Sequence, residues 1–325
     1  MSWEQKEHAA EWMILPQNIG PKLCIDETSL CEDLVTFVSN KDGHCKKGTI
    51  VAAVKGTRVE DVTAALLRIP EEERLKVEEV TLDMSESMAA IVKIAFPNAT
   101  LVLDCFHVLK RCNDATEELR LKYKREAQVE DRRKRREFKK RQKRNAAQRK
   151  RYRKNHPKNY PGKVRGPKPK RKNEKYKPEV LSTGDTVIEL LTRTKYTLTQ
   201  SRDKWTDTQK ARMALLFEMF PKLKESYDMT NKLRSIFRSK TLDKESARNK
   251  LHDWYKDTTN CTLREVKAAR DYIKYREDEV LNYFVNRSTN ASAESLNSKI
   301  KSFRSQLRGV SDLPFFMYRL SKIFG

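Results

Sequence analysis

The chain has 325 residues and a formal net charge of +24, with 69 Lys and Arg against 45 Asp and Glu, so a polyanionic partner is the first expectation. The length allows two domains, or one domain with a large insertion. The sequence has no apolar run of spanning length, no apparent signal peptide and no C-x-x-C pair among its six cysteines. We therefore expect a cytoplasmic protein with reduced thiols, no membrane partner and no zinc ribbon.

The first third of the chain predicts a sheet. After a polar lead-in over residues 1–22, the segments KLCIDETS, DLVTFVSN and GTIVAAVKG have the composition of three strands, with an Asp-Gly turn signal between the last two. RVEDVTAALLRIP has helical spacing. VEEVTLD then predicts a strand that ends at Asp83, SESMAAIVKIAFP a helix with Ser85 as its N-cap, and ATLVLD a buried strand.

The order of these elements, β-β-β-α-β-α-β, indicates the fold class. Strand–helix–strand connections require parallel pairing in the later half. We therefore expect an α/β (α+β) fold with a mixed five-stranded sheet and helices on its faces, which is the ribonuclease-H-like layout.

The remainder of the chain predicts helices. The core's first part would span residues 23–107, and a large all-helical insertion would span 108–285. This insertion contains a highly basic segment, 120–178, whose proline-rich end predicts partial disorder. Residues 286–325 would return to the core with a helix that carries Glu294.

Nearly all of the excess positive charge lies in the basic segment. Residues 120–177 contain 28 Lys and Arg and 5 Asp and Glu, and contacts with DNA phosphates are the expected compensation. A passive solvated face is the alternative. The residues expected to contact DNA are Arg132, Arg133, Lys134, Arg135, Arg136, Lys139, Lys140, Arg141, Arg149, Lys150 and Arg151.

Three acids occupy positions that suit metal-dependent phosphodiester chemistry. Asp26 follows the apolar residues of the first predicted strand, Asp83 ends the fourth, and Glu294 lies on the last helix before the C-terminal segment. Carboxylates so placed can bind two Mg²⁺ or Mn²⁺ ions. Each acid alone is explained equally well as a solvated side chain, so the ordered set carries the hypothesis.

Several stretches of the chain resemble one known family. CIDETS, VEEVTLDMSESMAAIVKIAFPNATLVLDCFHVLKRCNDATEELR and NRSTNASAESLNSKIKSFRSQLRGVSDLPFFMYRL are similar to the DDE transposases of bacterial insertion sequences, specifically the ISL-three type, which is related to the mutator-like and IS-two-five-six groups. The resemblance implies metal-dependent DNA nicking at the ends of the element and strand transfer into target DNA.

The resemblance also assigns roles to individual residues. It implies that Asp26, Asp83 and Glu294 are the catalytic, metal-binding acids and that Asp104 and His107 form a supporting D-x-x-H pair. Because Asp104 also ends an apolar strand, it remains an alternative to Asp83 as the second metal ligand. A zinc site formed by Asp104 and His107 with the neighbouring cysteines is disfavoured, since the spacing matches no usual cage.

The helix that carries Glu294 predicts two more supporting residues. Asn290, Glu294, Asn297 and Lys301 recur at helical spacing and place amides, an acid and a cation on one face. We expect Asn297 and Lys301 to support the site. A mixed polar surface helix is the alternative.

The resemblance implies partners as well. These are double-stranded DNA, both element ends and target, and a second copy of the chain in a homodimeric synaptic complex in the bacterial cytoplasm, associated with the nucleoid. Family members usually begin with a DNA-recognition region, whereas only about 22 residues precede the first predicted strand. We therefore expect either a separate helix-turn-helix protein or a longer chain.

Two other functions fit the sequence less well. One is a non-catalytic nucleic-acid-binding protein derived from a transposase, for which the three acids would be dispensable. The other is a structure-specific nuclease of the ribonuclease-H-like fold, which would cleave DNA without requiring element ends.

Overall fold

The structure is a computed structural model, and it describes residues 3–30, 33–156, 175–307 and 312–325. Packing divides the chain into two compact units: the sheet unit, Met1–Cys112 with Met229–Gly325, and the helical unit, Asn113–Asp228. The disorder predicted within the basic segment falls mainly on residues 157–174, which lie outside the described residues.

The sheet unit is built on one mixed sheet of six strands in the order β1-β4-β3-β2-β5-β6. The neighbours β1–β4, β4–β3 and β3–β2 pair antiparallel, whereas β2–β5 and β5–β6 pair in parallel. The strands are β1 Trp12–Ile14, β2 Lys22–Leu30, β3 Asp33–Asn40, β4 Ile50–Lys55, β5 Glu79–Leu82 and β6 Thr100–Leu103.

The predicted mixed sheet of a ribonuclease-H-like fold is confirmed, with one correction. The five predicted strands are β2 to β6, and the sheet has a sixth strand, β1, which pairs with the edge of β4. Its three residues lie within the segment 1–22, which was predicted to be only a lead-in. A strand this short has too few residues to show an alternating pattern, so periodicity could not reveal it.

One face of the sheet is covered by α1 (Val59–Leu66) and α3 (Glu86–Ala95), with the short α2 (Glu71–Arg74) between them in sequence. Alternate residues of the central strands point to this side because successive side chains of a strand point to opposite faces. The buried side chains that form this core from the sheet include Leu23, Ile25, Val80, Leu82, Leu101 and Leu103.

The opposite face is covered by α13 (Ala291–Gln306) and α14 (Leu313–Phe324). Towards the β1 edge this interface is apolar, with Phe37 and Ile50 of the sheet packed among residues of both helices. Towards β5 and β6 the same face carries polar side chains, and these belong to the candidate site. The helix predicted to carry Glu294 is therefore confirmed as α13.

The other helices of the sheet unit extend its first core. Trp254 is 2% exposed there, and its indole Nε1 donates to the Met229 carbonyl at 2.9 Å. These helices are the last part of α8 (Pro221–Arg238), α9 (Lys244–Thr259), α10 (Arg264–Tyr275), α11 (Glu277–Leu281) and α12 (Tyr283–Asn286).

The helical unit has its own core. The Asp185 side chain is buried there and forms ion pairs with Arg193 and Arg212, while Trp205 and Tyr227 pack as tilted rings. Its helices are the greater part of α4 (Cys105–Asn155), α5 (Val187–Arg193), α6 (Lys195–Leu198), α7 (Asp207–Met219) and the start of α8. Among the described residues, no helix is long and apolar enough to cross a membrane.

The two packing units do not test the domain limits expected from the sequence. Packing groups Met229–Gly325 with the sheet, whereas the insertion was predicted to run to residue 285. Contact density alone does not decide where an insertion begins, so those limits stay a prediction.

Replacing Ile25 by Ala should destabilise the sheet unit. The side chain is fully buried between β2 and the helices, so its removal leaves a cavity, and we expect a loss of about 2–5 kcal/mol in the free energy of unfolding. Urea denaturation followed by circular dichroism measures this loss. Leu34→Ala on the neighbouring strand is the control, because Leu34 is 46% exposed. Equal losses in the two variants would contradict the packing described here.

Candidate active site

Three aspartates form a row across adjacent strands. β2 and β5 pair with Cys24 opposite Thr81, and β5 and β6 pair with Thr81 opposite Val102. Two residues beyond each of these positions stands an aspartate, so the three lie on one sheet face, Asp26 in the middle of β2 and the other two just after the ends of β5 and β6. This acid row consists of Asp26, Asp83 and Asp104.

Each carboxylate of the acid row accepts a hydrogen bond from the backbone just after it. Asp26 Oδ1 accepts from the Glu27 N–H at 2.9 Å, Asp83 Oδ1 from the Ser85 N–H at 2.8 Å, and Asp104 Oδ1 from the Phe106 N–H at 3.1 Å. The last two carboxylates precede α3 and α4, whose N-terminal ends favour negative charge. The chain thus holds all three side chains in fixed orientations.

Helix α13 brings the distal residues to the acid row. The Ala293 N–H donates to the buried Cys24 thiol, and Asn297 Nδ2 donates to Asp26 Oδ2 at 2.8 Å. Both contacts tie the helix to β2. Glu294 lies between them in sequence but is exposed to solvent, where it can bind a ligand. Asn297 therefore contacts the acid row. Among the described residues, Lys301 forms no hydrogen bond or ion pair with these acids.

A second group of ligands lies at the β6 end of the row. Single ligand atoms of Asp104, His107 and Glu294 all lie within 4.8 Å of one another. Ligands of one Mg²⁺ ion sit about 2.1 Å from it, so two of them lie at most about 4.2 Å apart. A small closing movement would let these three share an ion. Within the described part of the chain, Asp26 and Asp83 do not belong to this group.

The two groups nevertheless form one site. The pKa of Asp26 is raised to about 6. Burial is the largest cause; the Glu27 N–H and His107 lower the pKa, and the nearby Asp83 carboxylate raises it. Asp26 thus interacts electrostatically with both Asp83 and His107. Oxygen ligands predominate, which suits Mg²⁺ or Mn²⁺, and the one imidazole is compatible with Mn²⁺.

An ion pair lies below the acid row. Lys41 Nζ donates to Glu79 Oε1 at 3.0 Å, and the two side chains are only 15% and 5% exposed. Burial alone would raise the pKa of Glu79, but hydrogen bonds from Ser288, Asn286 and Lys41 hold it below its usual value. Glu79 therefore links β5 to Lys41 in the turn after β3, and also to Asn286 at the end of α12 and to Ser288 just after it.

The predicted DNA-contacting residues all lie on α4. Some have acidic neighbours: Arg133 pairs with Glu130, and Arg135 with Asp131. By contrast, residues 139–156 contain ten Lys and Arg and no acid, and nearly all are exposed. We call this stretch the basic arm. Lys139, Lys140, Arg141, Arg149, Lys150 and Arg151 belong to it.

A family model described as "Transposase", that of the ISL-three-type DDE transposases, matches residues 23–164 and 170–320. The chain belongs to this family. Comparison with curated proteins and with solved structures gives no match. The resemblance seen in the sequence is thus confirmed, and it covers both the acid row and α13. Membership of a transposase family also indicates that DNA is a partner of the chain.

The prediction missed the ion pair beneath the site of this transposase. Glu79, Thr81 and Asp83 alternate in VEEVTLD, so they share one strand face. That pattern was a signal for a polar layer leading up to the acid row. Lys41 could not be found in the same way, because it lies in the turn after β3 and reaches Glu79 only through the sheet's register.

Breaking this ion pair should destabilise the transposase strongly. Glu79→Ala leaves the Lys41 charge buried without its partner, so we expect a loss of about 3–5 kcal/mol in the free energy of unfolding at pH 7. The double variant Lys41→Met, Glu79→Leu removes both charges and should recover much of that loss. Urea titrations of both variants measure these losses. Equal losses in the two variants would contradict a stabilising Lys41–Glu79 ion pair.

The same pair predicts a pH dependence. The pKa of Glu79 is lowered in the folded state, while an unfolded Glu has a pKa of about 4.3. Its contribution is therefore fully present above pH 4.3 and is lost as the pH falls through the folded-state pKa. In urea titrations, the stability difference between the wild type and Glu79→Gln should stay constant from pH 7 to about pH 4.3 and shrink below it.

Proposed function

We propose that this transposase nicks DNA at the ends of an insertion sequence and joins the freed 3′-OH to target DNA, using Asp26, Asp83 and Glu294. The observation that carries the proposal is the acid row itself, which lies on one face of the sheet and is faced by the helix that bears Glu294. Carboxylates converging there are the ligands that metal-dependent phosphodiester chemistry requires.

Each residue has a definite task in this proposal. Asp26, Asp83 and Glu294 would together hold the divalent ions, and Asp104 would support them. When bound, the two ions activate the attacking oxygen and stabilise the leaving oxygen of the phosphodiester. Asn297 fixes the orientation of the Asp26 carboxylate through the bond to Oδ2. Lys301, two turns beyond Glu294 on α13, binds a DNA phosphate.

His107 and Asp104 are assigned a supporting role next to the catalytic acids. Their closeness to Glu294 supports this assignment. The imidazole can serve as a nitrogen ligand, and the Phe106 N–H holds the Asp104 carboxylate at the start of α4. Whether Asp83 or Asp104 is the essential second ligand is therefore a question that substitution answers.

DNA is proposed to reach the site with help from the basic arm. A helix of 51 residues is about 77 Å long, long enough to follow a duplex over several phosphates. Such contacts position DNA without reading its sequence. We therefore also propose that a separate helix-turn-helix protein recognises the element ends, and that two copies of the chain act together on the two ends in the bacterial nucleoid.

Substituting the acids tests the proposed chemistry. Asp26→Asn, Asp83→Asn and Glu294→Gln keep side-chain volume but remove a charged metal ligand, so each should lower Mn²⁺-dependent nicking of supercoiled plasmid by at least ~10³-fold. DNA binding, measured by fluorescence anisotropy, should be unchanged. Asp104→Asn should retain more activity than Asp83→Asn. Full nicking by any one of the first three variants would falsify the assignment.

The role of the basic arm has a matched test. Lys139, Lys140 and Arg141 lie in the arm, whereas Arg133, Lys134 and Arg135 have acidic neighbours. Replacing the first three by Gln should flatten the slope of log K against log salt by roughly 2–3, because each phosphate contact contributes about 0.9. The second triple variant should change the slope less. The probe is a mixed-sequence 30-base-pair duplex, and equal slopes in the two variants would rule out the arm as the DNA contact.

A further inference from the structure

One apolar side chain beside the acid row is exposed without an evident structural reason. Phe106 is 59% exposed, and it is the only phenylalanine with an exposed side chain among the residues that the structure describes. Phenylalanine has no polar tip to solvate, so leaving its ring in water costs free energy that burial would recover. Exposed rings of this kind commonly mark a binding contact.

The position of Phe106 is set by its contacts with Asp104 and His107. Phe106 lies between Asp104 and His107 in sequence, and its N–H donates to the Asp104 carboxylate at 3.1 Å. The ring lies edge-on to the His107 ring, with centroids 5.6 Å apart and planes at 89°. The exposed ring therefore stands next to the groups that face Glu294, with its orientation limited on one side by the imidazole.

A cation lies on the same side of the helix. Lys110 is exposed and follows Phe106 by four residues, so the two side chains are neighbours on the surface of α4. An aromatic face next to an ammonium group matches the two parts of a nucleotide, since bases stack on aromatic rings and phosphates pair with cations. A protein partner could pack against the Phe106 ring, but only an acidic protein would also pair with Lys110.

We propose that Phe106 and Lys110 form a nucleotide contact beside the acid row: the ring stacks on a base next to the scissile phosphodiester and Lys110 binds a DNA phosphate. This inference rests on the proposed function, because it places DNA at the acid row. It adds a residue pair that holds one nucleotide close to the reacting phosphate. Stacking does not distinguish strongly among bases, so the contact positions the strand more than it selects a sequence.

Nicking kinetics separate an aromatic contact from a merely apolar one. Phe106→Leu keeps an apolar side chain and Phe106→Tyr keeps the ring. Stacking on one base is worth about 1–3 kcal/mol, so kcat/KM for Mn²⁺-dependent plasmid nicking should fall roughly 5- to 150-fold in Phe106→Leu and stay within about twofold in Phe106→Tyr. Ile94→Ala is the control, because Ile94 is 50% exposed at the far end of α3 from Asp83.

A second measurement does not depend on catalysis. A duplex with a short single-stranded end containing 2-aminopurine should lose fluorescence on binding the wild type, because stacking on the ring quenches the base. Quenching should persist in Phe106→Tyr and Asp26→Asn and disappear in Phe106→Leu. Lys110→Gln should reduce the salt slope of binding by about 1.

The outcomes distinguish this inference from the proposed function. Unchanged nicking and unchanged quenching in Phe106→Leu would overturn the nucleotide contact while leaving the catalytic proposal intact. Loss of nicking in Phe106→Leu together with a change in oligomeric state, measured by sedimentation, would also overturn it, since the ring would then contact another protein copy. Absence of metal-dependent nicking in the wild type would overturn the proposed function, and the quenching result would still decide the contact.

Discussion

The structure of the site depends on holding like charges side by side. Neighbouring strands are about 4.8 Å apart, so the acid row places three carboxylates where each repels the next. Burial is the largest cause of the raised pKa of Asp26, and repulsion by the Asp83 carboxylate adds to it. Backbone N–H groups and the N-terminal ends of α3 and α4 offset part of this repulsion. A bound divalent ion would offset the rest, so the same arrangement that costs stability favours metal binding.

The sheet face that carries the acid row must also pack against helix α13, although part of that face is polar. An apolar interface would leave the acids without partners, while a wholly polar one would lack the driving force of burial. Helix α13 combines both: Leu296 and Ile300 bury apolar surface, and Asn297 donates to Asp26. Glu294 lies three residues before Asn297 on this helix and stays exposed, so a ligand can reach it. The arrangement of the candidate site therefore depends on the order of small, apolar and polar residues along one helix.

Much of this could be predicted from the sequence because the pattern is local. Strands β2 to β6, helix α3 with its Ser85 cap and the helix bearing Glu294 all carry their own periodicity or capping signals. The family resemblance implied the roles of the acids, and these roles stay a prediction. Strand β1 is too short to show a pattern, and the pairing of Lys41 with Glu79 depends on residues 38 positions apart in sequence. The grouping of Glu294 with Asp104 and His107 depends on helix docking, which periodicity does not encode.

The hydrogen bonds from the backbone to Asp83 and Asp104 allow each aspartate to be replaced by asparagine during evolution without loss of the fold. Asp104 precedes the first residue of α4 and accepts the Phe106 N–H, whereas Asp83 accepts the N–H of Ser85, the residue that caps α3. Asparagine keeps that acceptor and loses only the charge. A copy that has lost its chemistry in this way would remain folded and would retain its DNA-contacting surface, and it could then compete with active copies for the same DNA.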